Sequence, residues 1–370
     1  MPDVTMFLIY FLFAFTLTQC FGNPISPAQD DKLIGVAVLF RHGDRSPIES
    51  YPNDPYIDIK YWPEGLGQLL DQGKKRQFEL GKYLRNRYND FIPLQYNRKD
   101  ILVKSTDVDR TLMSAASNLA GLYFKTNKST YWEDNLPWDP IPIHTTPEED
   151  DPVLAEGKDC PNFSKLYETT LNSSHFRNIV QNHSGIKSVV EKNTNWTIDS
   201  IKFYQNLYTV FYVYQSTNSS YLPPWSRDLD MSELSHLAGI SFSSETFTSE
   251  LQRFRFGPFF HYLHHYFDGI IKGKKPRFLM LSAHDTTVAG ILNTYGAYDY
   301  HPPEFAEAII WELRRRADEV FLKIFNKRNP GNAAEIRLAG CAEECDYERY
   351  KKTLEHVAVD PEKWEEDCYN

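Results

Sequence analysis

The chain has 370 residues, more than one core usually serves, so two lobes are expected. Hydrophobic residues make up 41%, ample for both cores. The formal net charge of −10 excludes the basic footprint of a nucleic-acid binder, so any affinity for anions must be local to a few arginines.

Met6 to Leu17 is an uncharged apolar run. It is shorter than a membrane span and matches the hydrophobic region of a secretory signal peptide, although Asp3 stands where a basic n-region is usual. Small residues Cys20 and Gly22 put the cut after residue 22, so the mature chain is expected to begin at Asn23. No later run approaches a span, and no stable membrane anchor is expected.

Leu33 to Phe40 is nearly continuous in apolar residues, as a central strand buried on both faces would be. It runs directly into Arg41-His42-Gly43-Asp44-Arg45-Ser46-Pro47. Ends of strands are where α/β folds hold ligands, and two guanidinium forks suit the oxygens of a phosphoryl group. Cations on both sides lower the pKa of His42 and keep a lone pair available for attack on phosphorus. Asp44 reads as a loop or supporting residue.

From Gly65 to Tyr88, residues Leu66, Leu70, Gly73, Gln77, Leu80, Leu84 and Tyr88 recur at spacings of three and four, which predicts an amphipathic helix. Ile101 to Lys104 reads as a second strand and Asp109 to Phe124 as a helix. Arg110 then sits at a strand-to-helix junction, where the helix dipole favours anions. Trp132 to Pro152, rich in Pro, Asp and Glu, is an irregular connection. Cys160 to Phe247 looks mixed and mostly helical, an inserted cap. Glu250 to Lys272 is a long helix leading through Gly273-Lys274-Lys275-Pro276 into a strand, Arg277 to Ser282, after which come His284 and Asp285. Three strand ends thus deliver one polar set. Ala306 to Leu313 and Glu319 to Phe325 alternate as a strand pair.

Other clusters carry less. Sequons lie at Asn127, Asn162, Asn172, Asn182, Asn195 and Asn218, and beside a signal peptide they predict a glycosylated surface. With Cys20 removed, Cys160, Cys341, Cys345 and Cys368 can form two disulfides in three pairings. His261, His264 and His265 lie at helical spacing among Phe259, Phe260, Tyr262, Tyr266 and Phe267, which favours packing over a metal site. The aromatic run Phe203 to Tyr214 reads as cap core or subunit interface. No phosphate-binding P-loop is present, and nothing calls for a metal or organic cofactor.

Arg41-His42-Gly43-x-Arg45-x-Pro47 resembles the signature of the histidine acid phosphatases, the branch of the histidine phosphatase superfamily with prostatic, lysosomal and insect-venom members. Tyr61-Trp62-Pro63-Glu64-Gly65-Leu66-Gly67-Gln68-Leu69, Glu79-Leu80-Gly81, Ser105-Thr106-Asp107-Val108-Asp109-Arg110-Thr111 and Ser282-Ala283-His284-Asp285-Thr286-Thr287 follow in family order over most of the chain. The resemblance implies an α/β fold, a phosphoglycerate-mutase-like sandwich whose central sheet is mixed and mainly parallel, flanked by helices, plus the cap. It divides the chain into a core of residues 23–155 and 248–370 and a cap of 156–247.

It also implies roles: His42 as nucleophile, Arg41, Arg45, Arg110 and His284 around the phosphoryl oxygens, and Asp285 as proton donor. The pairs Cys160–Cys368 and Cys341–Cys345 follow from the same source, as does a homodimer. The expected protein is a secreted acid phosphatase working on small phosphomonoesters through a phosphohistidine, extracellular rather than lysosomal. A phytase-like or lysophosphatidate-type phosphatase is the alternative within the class, and a catalytically idle secreted ligand-binding protein the alternative outside it.

Overall fold

The computed structural model describes residues 31–125, 127–155, 157–329, 331–341 and 344–370. The expected signal peptide and Cys20 lie outside the described residues.

Strand β1 (Lys32–Arg41) is the axis of the molecule. Its residues from Val36 to Phe40 are buried on both faces. Val36, Val38 and Phe40 pack with Leu80 and Leu84 of α1 (Asp71–Arg87) and Ala115 and Leu119 of α2 (Asp109–Leu122). Ala37 and Leu39 face the other way, in one cluster with Phe259 and Leu263 of α8 (Ser249–Ile271) and Ala289 and Leu292 of α9 (Asp285–Thr294). A helical layer on each face accounts for the unbroken apolar run, since alternation would have left one face to water.

Flanking β1 are β3 (Phe278–Ala283) and β4 (Ala308–Arg316), and the order across the sheet is β2-β3-β1-β4-β5-β6, with β7 also paired to β5. The remaining strands are β2 (Ile101–Ser105), β5 (Glu319–Lys327), β6 (Ala334–Ile336) and β7 (Cys345–Asp346). The sheet is mixed, as expected, but not mainly parallel. Only the β1–β3 and β2–β3 pairs are parallel, whereas β1–β4, β4–β5, β5–β6 and β5–β7 are antiparallel. For the β4–β5 pair the cause is connection length: Ala317 and Asp318 alone join the two strands, and a two-residue link can only reverse the chain.

Helix α1 begins at Asp71, six residues after the predicted start. Gly65 and Gly67 adopt φ of +104° and +72°, outside a right-handed helix, and the loop they form brings Leu69 into a β-bridge with Arg45. Five helices fill the described chain between residue 160 and α8: α3 (Pro161–Leu171), α4 (Ser174–Asn182), α5 (Ser184–Thr194), α6 (Lys202–Thr217) and α7 (Met231–Ser243). Their own apolar core takes in Phe176, Val190, Tyr204, Phe211, Tyr214 and Leu237, together with Trp62 and Phe305 from the sheet side. The aromatic run on α6 is therefore interior packing. His264 on α8 meets the Tyr350 ring edge-on at 5.4 Å between centroids.

Two short helices, α10 (Tyr347–Thr353) and α11 (Pro361–Tyr369), close the chain. Cys368 on α11 is bonded to Cys160 at the start of α3, and Cys341 to Cys345. The first of these bonds ties the last helix of the chain to the first of the inserted set.

Candidate active site

Sheet register builds the site. Arg41, the last residue of β1, lies opposite Ala283, the last of β3, and Ser105 at the end of β2 lies opposite Ser282. The residues that follow, His42 and His284, therefore emerge side by side, with ring centroids 5.7 Å apart. The His42 N–H still bonds the Ala283 carbonyl at 3.0 Å, so the ladder extends into the site. Arg110 enters from the first turn of α2 and Asp285 from the first turn of α9, where unpaired backbone N–H groups favour an anion.

His42 is almost fully buried. Its Nδ1 lies 2.8 Å from the Gly43 carbonyl, which can only accept, so Nδ1 carries the proton and Nε2 the free lone pair. Burial, then the charges of Arg41, Arg110 and Arg45, lower its pKa well below the ordinary value. Its Nε2 lone pair is therefore open, and the ring favours its neutral form.

The three arginines differ in what holds them. Arg41 donates from Nη1 to the Pro303 carbonyl at 2.5 Å, pairs through Nη2 with Asp285 Oδ2 at 2.6 Å and lies over the Phe305 ring at 4.3 Å. Arg45 is buried and donates to the Ser46 carbonyl at 3.0 Å; burial pulls its pKa down to about 9, so it stays cationic in acid. Arg110 Nη2 lies 3.3 Å from His284 Nδ1. In all three, the buried Nε–H has no partner among the described residues. Unsatisfied buried donors are costly, and three on one ring of cations suit an oxyanion.

Burial would raise the Asp285 carboxyl, but Arg41 and Arg45 outweigh it and hold the group below the usual carboxylate range. Its Oδ1 accepts from the Thr286 N–H at 3.0 Å. Beside it lies a cavity of about 150 Å³ lined by Arg45, Ile48, Glu49, Asp285 and the Gln205, Asn206 and Thr209 side of α6. Phe305, Tyr212 and Tyr208 form a stacked series next to it, with centroids 5.0 and 5.8 Å apart.

Asp44 turns away from this ring. Arg76 on α1 grips it with Nε–Oδ2 at 2.6 Å and Nη2–Oδ1 at 3.0 Å. Gly43 and Gly73 let helix and loop touch backbone to backbone, since a Cβ on Gly43 would meet the Gly73 carbonyl oxygen at 2.4 Å. Asp44 is 1% exposed, so Arg76→Ala leaves an unpaired buried charge. We expect a loss of about 3 kcal/mol in stability, read from denaturant unfolding.

All six residues expected from the sequence, Arg41, His42, Arg45, Arg110, His284 and Asp285, meet at one place. Several neighbours were not anticipated. Gln77 donates to the Arg41 carbonyl at 2.7 Å and is itself held by Asn118 at 3.2 Å. A polar residue on the apolar stripe of α1 was the available signal for it. Thr106, Thr111, Ser114, Phe305 and the α6 side chains gave none, because each reaches the site across a tertiary contact.

Such a ring of guanidinium groups around a buried imidazole, at the C-terminal ends of parallel strands, is suited to an oxyanion in an α/β fold. Residues 32–320 match the histidine phosphatase superfamily (branch 2), and the chain belongs to that family. Prostatic acid phosphatase of Bos taurus is 33% identical over 340 residues, covering 90% of this chain and 87% of its own. Lysosomal acid phosphatase of Homo sapiens is 32% identical over 359 residues, covering 92% and 81%. Among solved structures, Hafnia alvei phytase in complex with tartrate shares the fold at a TM-score of 0.68 and 15% identity, over 90% of this chain and 98% of that one.

Proposed function

We propose that the protein is an acid phosphatase that hydrolyses small phosphomonoesters through a phosphohistidine on His42. The observation that carries this reading is the free Nε2 of a buried, neutral His42 inside a ring of three arginines. Nε2 attacks phosphorus while Arg41, Arg45 and Arg110 take the non-bridging oxygens, which is chiefly positioning and charge stabilisation. The ester oxygen leaves and takes a proton from Asp285. Asp285 then draws a proton from water, whose oxygen attacks the phosphohistidine, and inorganic phosphate and His42 are released.

The inserted helices, residues 156–247, act as a cap over the leaving group. Uncharged Gln205, Asn206 and Thr209 line that side, and Glu49 and Glu148 add negative charge near Arg45 and Arg110, which disfavours polyanionic esters. An oxidising compartment suits the two disulfides, and we read the protein as secreted, glycosylated and, by its likeness to the family, homodimeric. Purified protein should release phosphate from an aryl phosphate at acid pH and show a burst of alcohol ahead of steady-state phosphate release in rapid-quench kinetics. Absence of turnover on every simple monoester would refute the reading and leave the idle ligand-binding alternative.

A further inference from the structure

Behind the arginine ring, a chain of side-chain hydrogen bonds runs away from His284. Its Nε2 lies 3.0 Å from Thr106 Oγ1, Thr106 Oγ1 lies 2.7 Å from Thr111 Oγ1, and Thr111 Oγ1 lies 2.7 Å from the Val108 carbonyl oxygen. Both threonines are fully buried. The two ends give the chain its direction. A carbonyl only accepts, so Thr111 donates to Val108, Thr106 donates to Thr111, and His284 donates from Nε2 to Thr106. At the opposite nitrogen stands Arg110 Nη2, which only donates, at 3.3 Å. Both ends therefore agree on one tautomer: His284 carries its proton on Nε2, and Nδ1 is its acceptor, which the Thr287 backbone N–H also approaches in the capping box of α9.

This is the reverse of what a ring of donors needs. With Nδ1 unprotonated, His284 meets a fully ionised phosphoryl oxygen lone pair to lone pair. It meets a protonated one as acceptor to donor. The charged and titratable groups facing His284 are Arg110 from α2, Arg41 and Arg45 from the end of β1 and its loop, His42, and Asp285 from α9. Burial first, then Arg110, lower the His284 pKa, with Asp285 the one opposing charge. The resting ring is neutral, and so is the contact it offers.

We propose that Thr106 and Thr111 are positioning residues that fix His284 as a hydrogen-bond acceptor, so that the site takes the phosphoryl group together with one proton, as the monoanion. The proton is held between Nδ1 and a phosphoryl oxygen while Arg110 keeps its N–H groups for the other oxygens. A phosphomonoester loses its second proton near pH 6, so this device favours acid conditions through the substrate itself. It rests on the phosphomonoester reading of the site and adds the origin of the proton that ionised Asp285 does not hold at rest: the monoanion's phosphoryl O–H gives it up to the Asp285 carboxylate, which passes it to the leaving oxygen as the bond to phosphorus breaks.

Two measurements test it. In Asp285→Asn, which cannot carry the proton, calorimetric affinity for benzylphosphonate, whose dianion bears no proton, should still weaken about tenfold per pH unit above its second pKa. Adding Thr106→Val should flatten that slope, and Thr106→Ser should restore it. A slope absent from Asp285→Asn, or unchanged by Thr106→Val, overturns the proposal. The second measurement needs no variant to fold differently: a long-range proton–nitrogen spectrum of the wild-type protein, with His284 assigned by its absence in His284→Asn, should show the proton on Nε2. Wild-type protein that hydrolyses aryl phosphate but carries that proton on Nδ1 disproves the relay and leaves the phosphatase reading intact. Wild-type protein that hydrolyses no phosphomonoester removes both.

Discussion

Replacing His42 with alanine should lower turnover of an aryl phosphate by about 10⁴-fold or more, the scale seen when a covalent nucleophile is removed from a site that otherwise still binds. The loss belongs to chemistry and not to folding. His42 makes one side-chain hydrogen bond, to the adjacent Gly43 carbonyl, and its backbone N–H bond to Ala283 survives the change. His42→Ala should therefore keep a cooperative unfolding transition and still bind inorganic phosphate through Arg41, Arg45 and Arg110. It should trap no acid-labile phosphoenzyme from labelled substrate. A variant that retained a tenth of wild-type turnover would exclude Nε2 as the attacking atom. Because burial and then the neighbouring arginines lower the His42 pKa, wild-type activity should not fall on acidification through the ordinary histidine range.

Asp285→Asn should lower kcat by about 10²- to 10⁴-fold, the range for losing a positioned proton donor. The deficit should depend on the leaving group: severe for an alkyl phosphate, whose alkoxide needs protonation, and mild for a nitrophenyl phosphate, whose phenolate leaves unaided. A uniform deficit across such a series would count against proton donation. The substitution also frees Arg41 Nη2 from its 2.6 Å ion pair and raises the positive charge of the ring by one unit. Inorganic phosphate should accordingly inhibit Asp285→Asn more strongly than wild type, measured as a lower inhibition constant at the same pH.

The polar half of the site is legible in the sequence because its members follow closely on three apolar runs. β1 leads to Arg41 and His42, β2 to Arg110 through a short loop, and β3 to His284 and Asp285. Periodicity also finds α2 and α8 within two residues at each end. Legibility fails where function depends on contacts between elements. Gln77 and Asn118 look like irregularities in two amphipathic helices until α1 and α2 are packed together. Thr106 and Thr111 look like ordinary turn residues until β3 lies beside β2. The excess of antiparallel pairing was hidden for a different reason: β6 and β7 have three and two residues, too short for any alternation to register.

The parallel ladder between β1 and β3 has a consequence for how the enzyme fails. His42 and His284 stand one residue beyond paired Arg41 and Ala283, so the hydrogen bonds that hold the middle of the sheet also set the distance between the two imidazoles. Active sites assembled from surface loops can loosen while their scaffold stays intact, and they lose activity early on heating. Here His42 comes free only when the innermost strands part, which is the last and most costly opening a domain undergoes. Activity and fold should be lost together on heating.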